Sequence, residues 1–227
     1  MSDTLDESLT LTPIEARIIG CLIEKASTTP ESYPLTVNSL VLAANQKTSR
    51  EPIMSIEEGE VGHALRELED RGWVRVVHGS RAHRYEHRIE DKLSVTRPQR
   101  ALLCLLMLRG PQSAPELLTR SDRLADIGSL DDLKPVLERL QQRGFVANVG
   151  RAAGQREDRF AQLFCGPVVV NARADERDNE ADAASAGSLS ARVAALEHVV
   201  AELSARLTAL ERDGSAHATT QDASLAP

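Results

Sequence analysis

Aromatic side chains make up only 3% of this 227-residue chain. A surface that stacks unpaired bases one per ring is thereby excluded, because each base needs its own platform. Cysteine is nearly as scarce. Cys21, Cys104 and Cys165 are odd in number and far apart, and the first two sit inside apolar helical patterns. They read as buried free thiols, with neither a disulfide nor a thiolate metal site. No apolar run approaches the roughly 18 to 20 residues of a membrane span. Met1 to Leu11 is polar and acidic, unlike a secretory signal, so a cytoplasmic protein without membrane association is expected.

Catalytic motifs are missing as well. There is no G-x-S-x-G elbow, no Gly-rich phosphate loop after a strand and no H-E-x-x-H pair; the expectation is a non-enzyme with no cofactor. His78, His83 and His87 crowd one stretch. His83 and His87, however, are four apart along a strand, about 13 Å at roughly 3.3 Å per residue, too far to share one ion. No metal site is expected there.

What the chain does contain is an internal repeat. Leu65-x-x-Leu68-x-x-Arg71-Gly72-Trp73-Val74 returns as Leu137-x-x-Leu140-x-x-Arg143-Gly144-Phe145-Val146. The leucines form the inner stripe of a helix, the glycine ends it in the left-handed region, and the aromatic-Val pair opens a strand. Upstream of each copy lies a well-capped apolar helix, one beginning Thr12-Pro13-Ile14-Glu15 and the other Thr96-Arg97-Pro98-Gln99. Val37, Leu40, Val41 and Ala44 mark a short middle helix in the first unit, and Ala114 to Leu118 one in the second. Hairpins follow: Trp73–His78 with His83–Ile89, then Phe145–Val149 with Asp158–Phe164.

Each unit therefore reads helix, helix, helix, hairpin, the order of a winged helix. The predicted fold is mainly α with small β-hairpins: two tandem winged-helix domains, 12–94 and 95–168, each with its own small core, after a disordered N-terminus (1–11). An acidic linker (169–188) leads to a coiled-coil helix (189–212) and a disordered tail (213–227). In the coil, Leu189, Val193, Leu196, Val200, Leu203, Leu207 and Leu210 alternate steps of four and three. With Leu189 at d, every d position is Leu and the a positions are Val193, Val200 and Leu207, the pattern of a parallel two-stranded coil. A homodimer through this seam is expected; an amphipathic helix folded back on its own domain is the alternative.

Net charge is −7 but unevenly placed: −5 over residues 1–94, +3 over 95–165 and −5 over 166–227. The third helix of the first unit carries Glu57, Glu58, Glu60, Glu67, Glu69 and Asp70 against Arg66 and Arg71, which repels phosphate. The wings differ. Arg75, Arg81, Arg84 and Arg88 mark the first, and Arg151, Arg156 and Arg159 the second. Double-stranded DNA contacted through Lys47, Arg50, Arg81, Arg84, Arg88, Arg151, Arg156 and Arg159 is one expected partner; another protein docked on the acidic helices is the other. Lys47 and Arg50 belong to a long polar segment, Asn45 to Ser55, where a helix-turn-helix ordinarily has three or four residues. Either they present a contact surface, or Asn45 caps the preceding helix while Arg50 pairs locally with Glu51 and braces the chain.

Four stretches in order, "SYPLTVNSLVLAANQKTSREP", "EVGHALRELEDRGWV", "LRGPQSAPELLTRSDRL" and "GQREDRF", resemble the bacterial YceH-type family of uncharacterised proteins, also grouped as UPF0502. The resemblance covers about residues 11 to 165. It implies a tandem winged-helix fold in the cytoplasm and supplies no activity. Its signature is matched here by Asn45, Gln46, Lys47, Ser49, Arg50, Glu51 and Pro52, with Thr48 at a variable position.

Overall fold

Thr12 sets the start of the first helix, α1 (Pro13–Thr28). Its hydroxyl accepts from the Glu15 amide at 3.2 Å while the Glu15 carboxylate accepts from the Thr12 amide at 2.7 Å, satisfying two orphan donors together. Ile18, Ile19, Leu22 and Ile23 then fall on the inward face and are fully buried. The structure is a computed structural model and describes residues 6–79, 82–151 and 157–166. The predicted linker, coiled-coil seam and C-terminal tail lie outside the described residues.

After α1 come α2 (Val37–Ala44), α3 (Glu58–Asp70), the antiparallel strands β1 (Val74–His78) and β2 (His83–His87), and a short helix, α4 (Ile89–Leu93). The second half runs α5 (Arg97–Arg109), β3 (Gln112–Ser113), α6 (Ala114–Ser121), α7 (Leu130–Gln142), β4 (Val146–Gly150) and β5 (Arg159–Gln162). The protein is mainly helical with small antiparallel sheets, and each half has the predicted order of three helices and a hairpin.

The N-terminal stretch expected to be disordered is ordered from residue 6, with a 3-10 turn at Glu7–Leu9 and Leu11 buried, and a second 3-10 turn spans Pro30–Ser32. Two further small elements, α4 and β3, are additions to that prediction. α4 follows the first hairpin, burying Ile89 and Leu93. β3 joins the second hairpin as a third strand, giving the order β3-β5-β4, with Gln112 opposite Phe160 and Ser113 opposite Arg159. The first half repeats this arrangement in miniature, with one bridge between Leu35 and Tyr85. A strand of two residues has too little alternation to be read from sequence.

The predicted pair of separate cores is instead one continuous core. α1 and α5, the apolar first helices of the two halves, pack directly against each other. Gly20 makes this approach possible: a Cβ there would lie 2.8 Å from Leu108 side-chain carbons. At the same crossing the Cys104 thiol donates to the Gly20 carbonyl at 3.3 Å. Trp73 and Phe145, equivalent in the repeat, both pack on Phe164, with ring centroids 5.8 Å and 5.4 Å away. Leu11 donates its amide to the Phe164 carbonyl at 2.7 Å, tying the segment before α1 to the end of the second half. Helices as apolar as α1 and α5 each leave a face that their own half cannot cover, and burying the two faces together removes both from water.

Burial pushes the Cys21 thiol up to about 11 and raises Cys104 as well. Cys165 departs from the expected burial. It is exposed in the turn after β5, outside any helical stripe.

Candidate functional site

The polar segment between α2 and α3 is a braced loop. Asn45 ends α2, its amide donating to the Val41 carbonyl at 3.1 Å. Its side chain then closes the loop on itself: Nδ2 donates to the Ile56 carbonyl and Oδ1 accepts from the Ile56 amide, both at 2.8 Å. Glu51 donates its amide to the Leu108 carbonyl of α5 at 2.8 Å, which fastens the loop to the second half.

Arg50 is 4% exposed and faces inward. Its Nη1 and Nη2 donate to the two carboxylate oxygens of Glu24 at 3.1 and 2.6 Å, and Nε donates to the Ala43 carbonyl at 3.0 Å. Burial alone would lower this guanidinium; the hydrogen bonds to Glu24 and its charge outweigh that, and the net shift is upward. Arg17, 1% exposed, holds the other side of the loop by donating to the carbonyls of Ala44 (3.1 Å) and Pro52 (2.6 Å). The expected surface role of Arg50 is corrected accordingly: no face of it is left for a phosphate, and its acid is Glu24 on α1, not the neighbouring Glu51. Lys47, three residues earlier, is exposed.

The wing cations divide in the same way. Arg84 is exposed, with Nη1 donating to the Pro34 carbonyl at 2.8 Å. Arg88 pairs with Asp91 at 2.6 Å, and Arg75 with Glu86 across the hairpin. In the second wing Arg151 pairs with Asp158 at 2.9 Å; the hydrogen bond from Arg151 holds the Asp158 carboxyl below its ordinary range. Arg159 turns inward, its side chain 11% exposed, and Nη2 donates to the Pro111 carbonyl at 2.8 Å. Like Arg50, it is corrected from contact residue to brace. Arg81 and Arg156 lie outside the described residues.

A different surface has the form of a binding groove. The exposed face of α3 carries Glu58, Glu60, Glu67, Glu69 and Asp70. Alongside it, the segment entering α1 and the α3 helix enclose a groove of about 600 Å³. Leu11, Ile14 and Ala64 supply apolar walls, while Glu60, His63 and Glu67 stand on the α3 side. Arg71 crosses one end, paired to Glu15 and donating to the Thr10 carbonyl at 2.7 Å. The acids of α3 are evident in the sequence; the apolar walls facing them, Leu11 and Ile14, lie some fifty residues earlier, and only the fold brings them alongside. The corresponding helix of the second half, α7, exposes Asp131, Asp132 and Glu138 beside Lys134 and Arg139, a balanced face.

Among the described residues, no three His, Cys, Asp or Glu side chains come close enough together to hold a metal ion, and no helix is long and apolar enough to cross a membrane.

A family model described as "Protein of unknown function, DUF480" matches residues 11–155. A UPF0502 protein of Stenotrophomonas maltophilia (strain K279a) is 52% identical over 204 residues, covering 88% of this chain and 94% of the relative. One from Mesorhizobium japonicum is 50% identical over 202 residues, with 88% and 96% covered. One from Xanthomonas campestris pv. campestris (strain B100) is 49% identical over 215 residues, with 93% and 96% covered.

Proposed function

The chain belongs to the UPF0502 family, and from that premise we propose that it is a non-enzymatic docking protein whose groove between α1 and α3 receives a basic, amphipathic segment of a protein partner. The observation that carries this reading is the pairing of apolar walls at Leu11, Ile14 and Ala64 with acids at Glu60 and Glu67. A helix or strand with one apolar face and flanking Lys or Arg complements such a surface in both respects. The same acids oppose a phosphate backbone, and the winged-helix reading of the fold loses its usual base-reading helix.

Double-stranded DNA is the second reading, favoured by the exposed cations Lys47, Arg84 and Arg151 and the half-exposed Arg88. Phosphate contact through the wings needs no help from α3. In either reading the heptad pattern from Leu189 to Leu210 supports a homodimer, checked by sedimentation of the full chain against one ending near Ala174.

Fluorescence anisotropy with three probes separates the readings: a Lys/Leu amphipathic peptide, an acidic peptide of equal length, and a duplex. Docking predicts affinity for the first alone, weakened by Ile14→Asp and lost in Glu60→Lys/Glu67→Lys. Equal binding of both peptides, or binding untouched by these substitutions, sinks the docking reading. Affinity for the duplex that falls steeply with salt and drops in Arg84→Ala/Arg151→Ala supports the DNA reading.

A further inference from the structure

The first hairpin holds two side chains that neither reading uses. His78 ends β1 and His83 opens β2, and the strand register sets them directly opposite each other. Their Nδ1 atoms are 3.1 Å apart, with ring centroids at 5.0 Å and planes inclined by 77°. Gly79, next to His78, lies close to Ala82. A Cβ on Gly79 would lie 2.8 Å from the carbonyl oxygen of Ala82, so a side chain at that position collides with backbone. Spacing along one strand separates His83 from His87; pairing across the hairpin brings His78 to His83.

We propose that His78 and His83 form a two-point binding site for a divalent transition-metal ion of the zinc class, with water in the remaining positions. Zinc–imidazole bonds are about 2.0–2.1 Å, so two nitrogens 3.1 Å apart subtend roughly 100° at the metal, between the octahedral and tetrahedral values. Imidazole nitrogen suits zinc, copper and nickel, whereas magnesium and calcium require oxygen. Two neutral rings in this arrangement share a single proton, and an exposed hydrogen bond of that kind competes with water on equal terms. A metal ion uses both lone pairs at once.

Among the described residues, the cations Arg84 and Arg75 of the hairpin are directed elsewhere. Arg84 follows His83, so strand alternation sends it to the opposite face, where it donates to the Pro34 carbonyl. Arg75 is paired with Glu86. With only two protein ligands the site keeps open positions, and its ion would cross-link the ends of β1 and β2 just where the turn begins.

The test uses the full chain, stripped of metal by a chelator, and zinc chloride alone as the probe, with magnesium chloride as the control. Calorimetry and the side-chain nitrogen signals of the histidines are followed together. The expected result is one zinc equivalent that shifts the His78 and His83 ring signals and is missing from His78→Ala, from His83→Ala and from the double variant. Both rings are exposed, so the variants fold as the parent does, which circular dichroism verifies. Unmoved ring signals in the parent overturn the proposal. So does a zinc equivalent that persists in the double variant, since other histidines or Cys165 would then hold it.

Discussion

Arg71 and Arg143 make the same bond in the two repeats. Each donates Nη1 to the carbonyl of the residue two before a helix N-cap: Arg71 to Thr10 at 2.7 Å, ahead of Thr12, and Arg143 to Ser94 at 3.1 Å, ahead of Thr96. The arginine of the repeat motif thus ties the end of the third helix of each half to the start of its first. Arg71 adds an ion pair to the buried Glu15, and Arg143 lies 4.5 Å over the Phe145 ring.

Replacing either arginine with alanine is expected to lower stability by about 1–2 kcal/mol, the loss of a charged donor to backbone and its second contact. Arg75→Ala, which removes an exposed cross-strand pair, is expected to cost less than about 1 kcal/mol. Urea unfolding followed by Trp73 fluorescence orders the three variants; equal effects would contradict the assigned role.

Arg50→Ala is expected to cost about 3 kcal/mol, because it strands Glu24 beside the core and releases the Ala43 carbonyl. Lys47→Ala should stay within about 0.5 kcal/mol. A double-mutant cycle on Arg50 and Glu24 should show positive coupling. Additive effects would mean the loop is held chiefly by Asn45 and Arg17.

One thiol should react with an aromatic disulfide reagent in the native protein and the other two only on unfolding. Cys165 is the exposed one; Cys21 and Cys104 are buried and their thiolates disfavoured by burial. Native modification surviving in Cys165→Ser would show that the α1–α5 crossing opens.

His87 is buried against Tyr33, and burial lowers its pKa; the nearby Glu90 opposes that shift, Arg100 adds to it and Glu86 opposes it. The unfolded chain therefore takes up this proton more readily than the folded one. The resulting stability is complete above about pH 6.5 and declines as pH falls below it. His87→Gln should flatten that limb of the stability–pH curve, measured from pH 7 to 5 at about half-unit steps; an unchanged slope would assign the decline to other groups.

The helix starts were legible because a capping box is local: Thr12 with Glu15 and Thr96 with Gln99 each lie within four residues. The helix ends at Gly72 and Gly144 were legible because both take positive φ, 72° and 69°. Lys47 and Arg50 show the limit. Both are long cations in one polar segment, and what sends one outward and the other into the core is Glu24, twenty-six positions away. The groove has the same character, since its acids Glu60 and Glu67 stand two turns apart on α3 while Leu11 and Ile14 flank the start of α1. The single core was hidden for a related reason: an apolar stripe announces that a helix face is buried, not which other face covers it.

The placement of Phe164 gives the protein an order of completion. Trp73 is fully buried, yet the ring that meets its edge and the carbonyl that receives the Leu11 amide both belong to Phe164. A ribosome that has delivered every residue through the first hairpin has still to make some seventy-five more before this keystone arrives. Until then the edge of Trp73 and the amide of Leu11 in the nascent first repeat wait for the partners that close them.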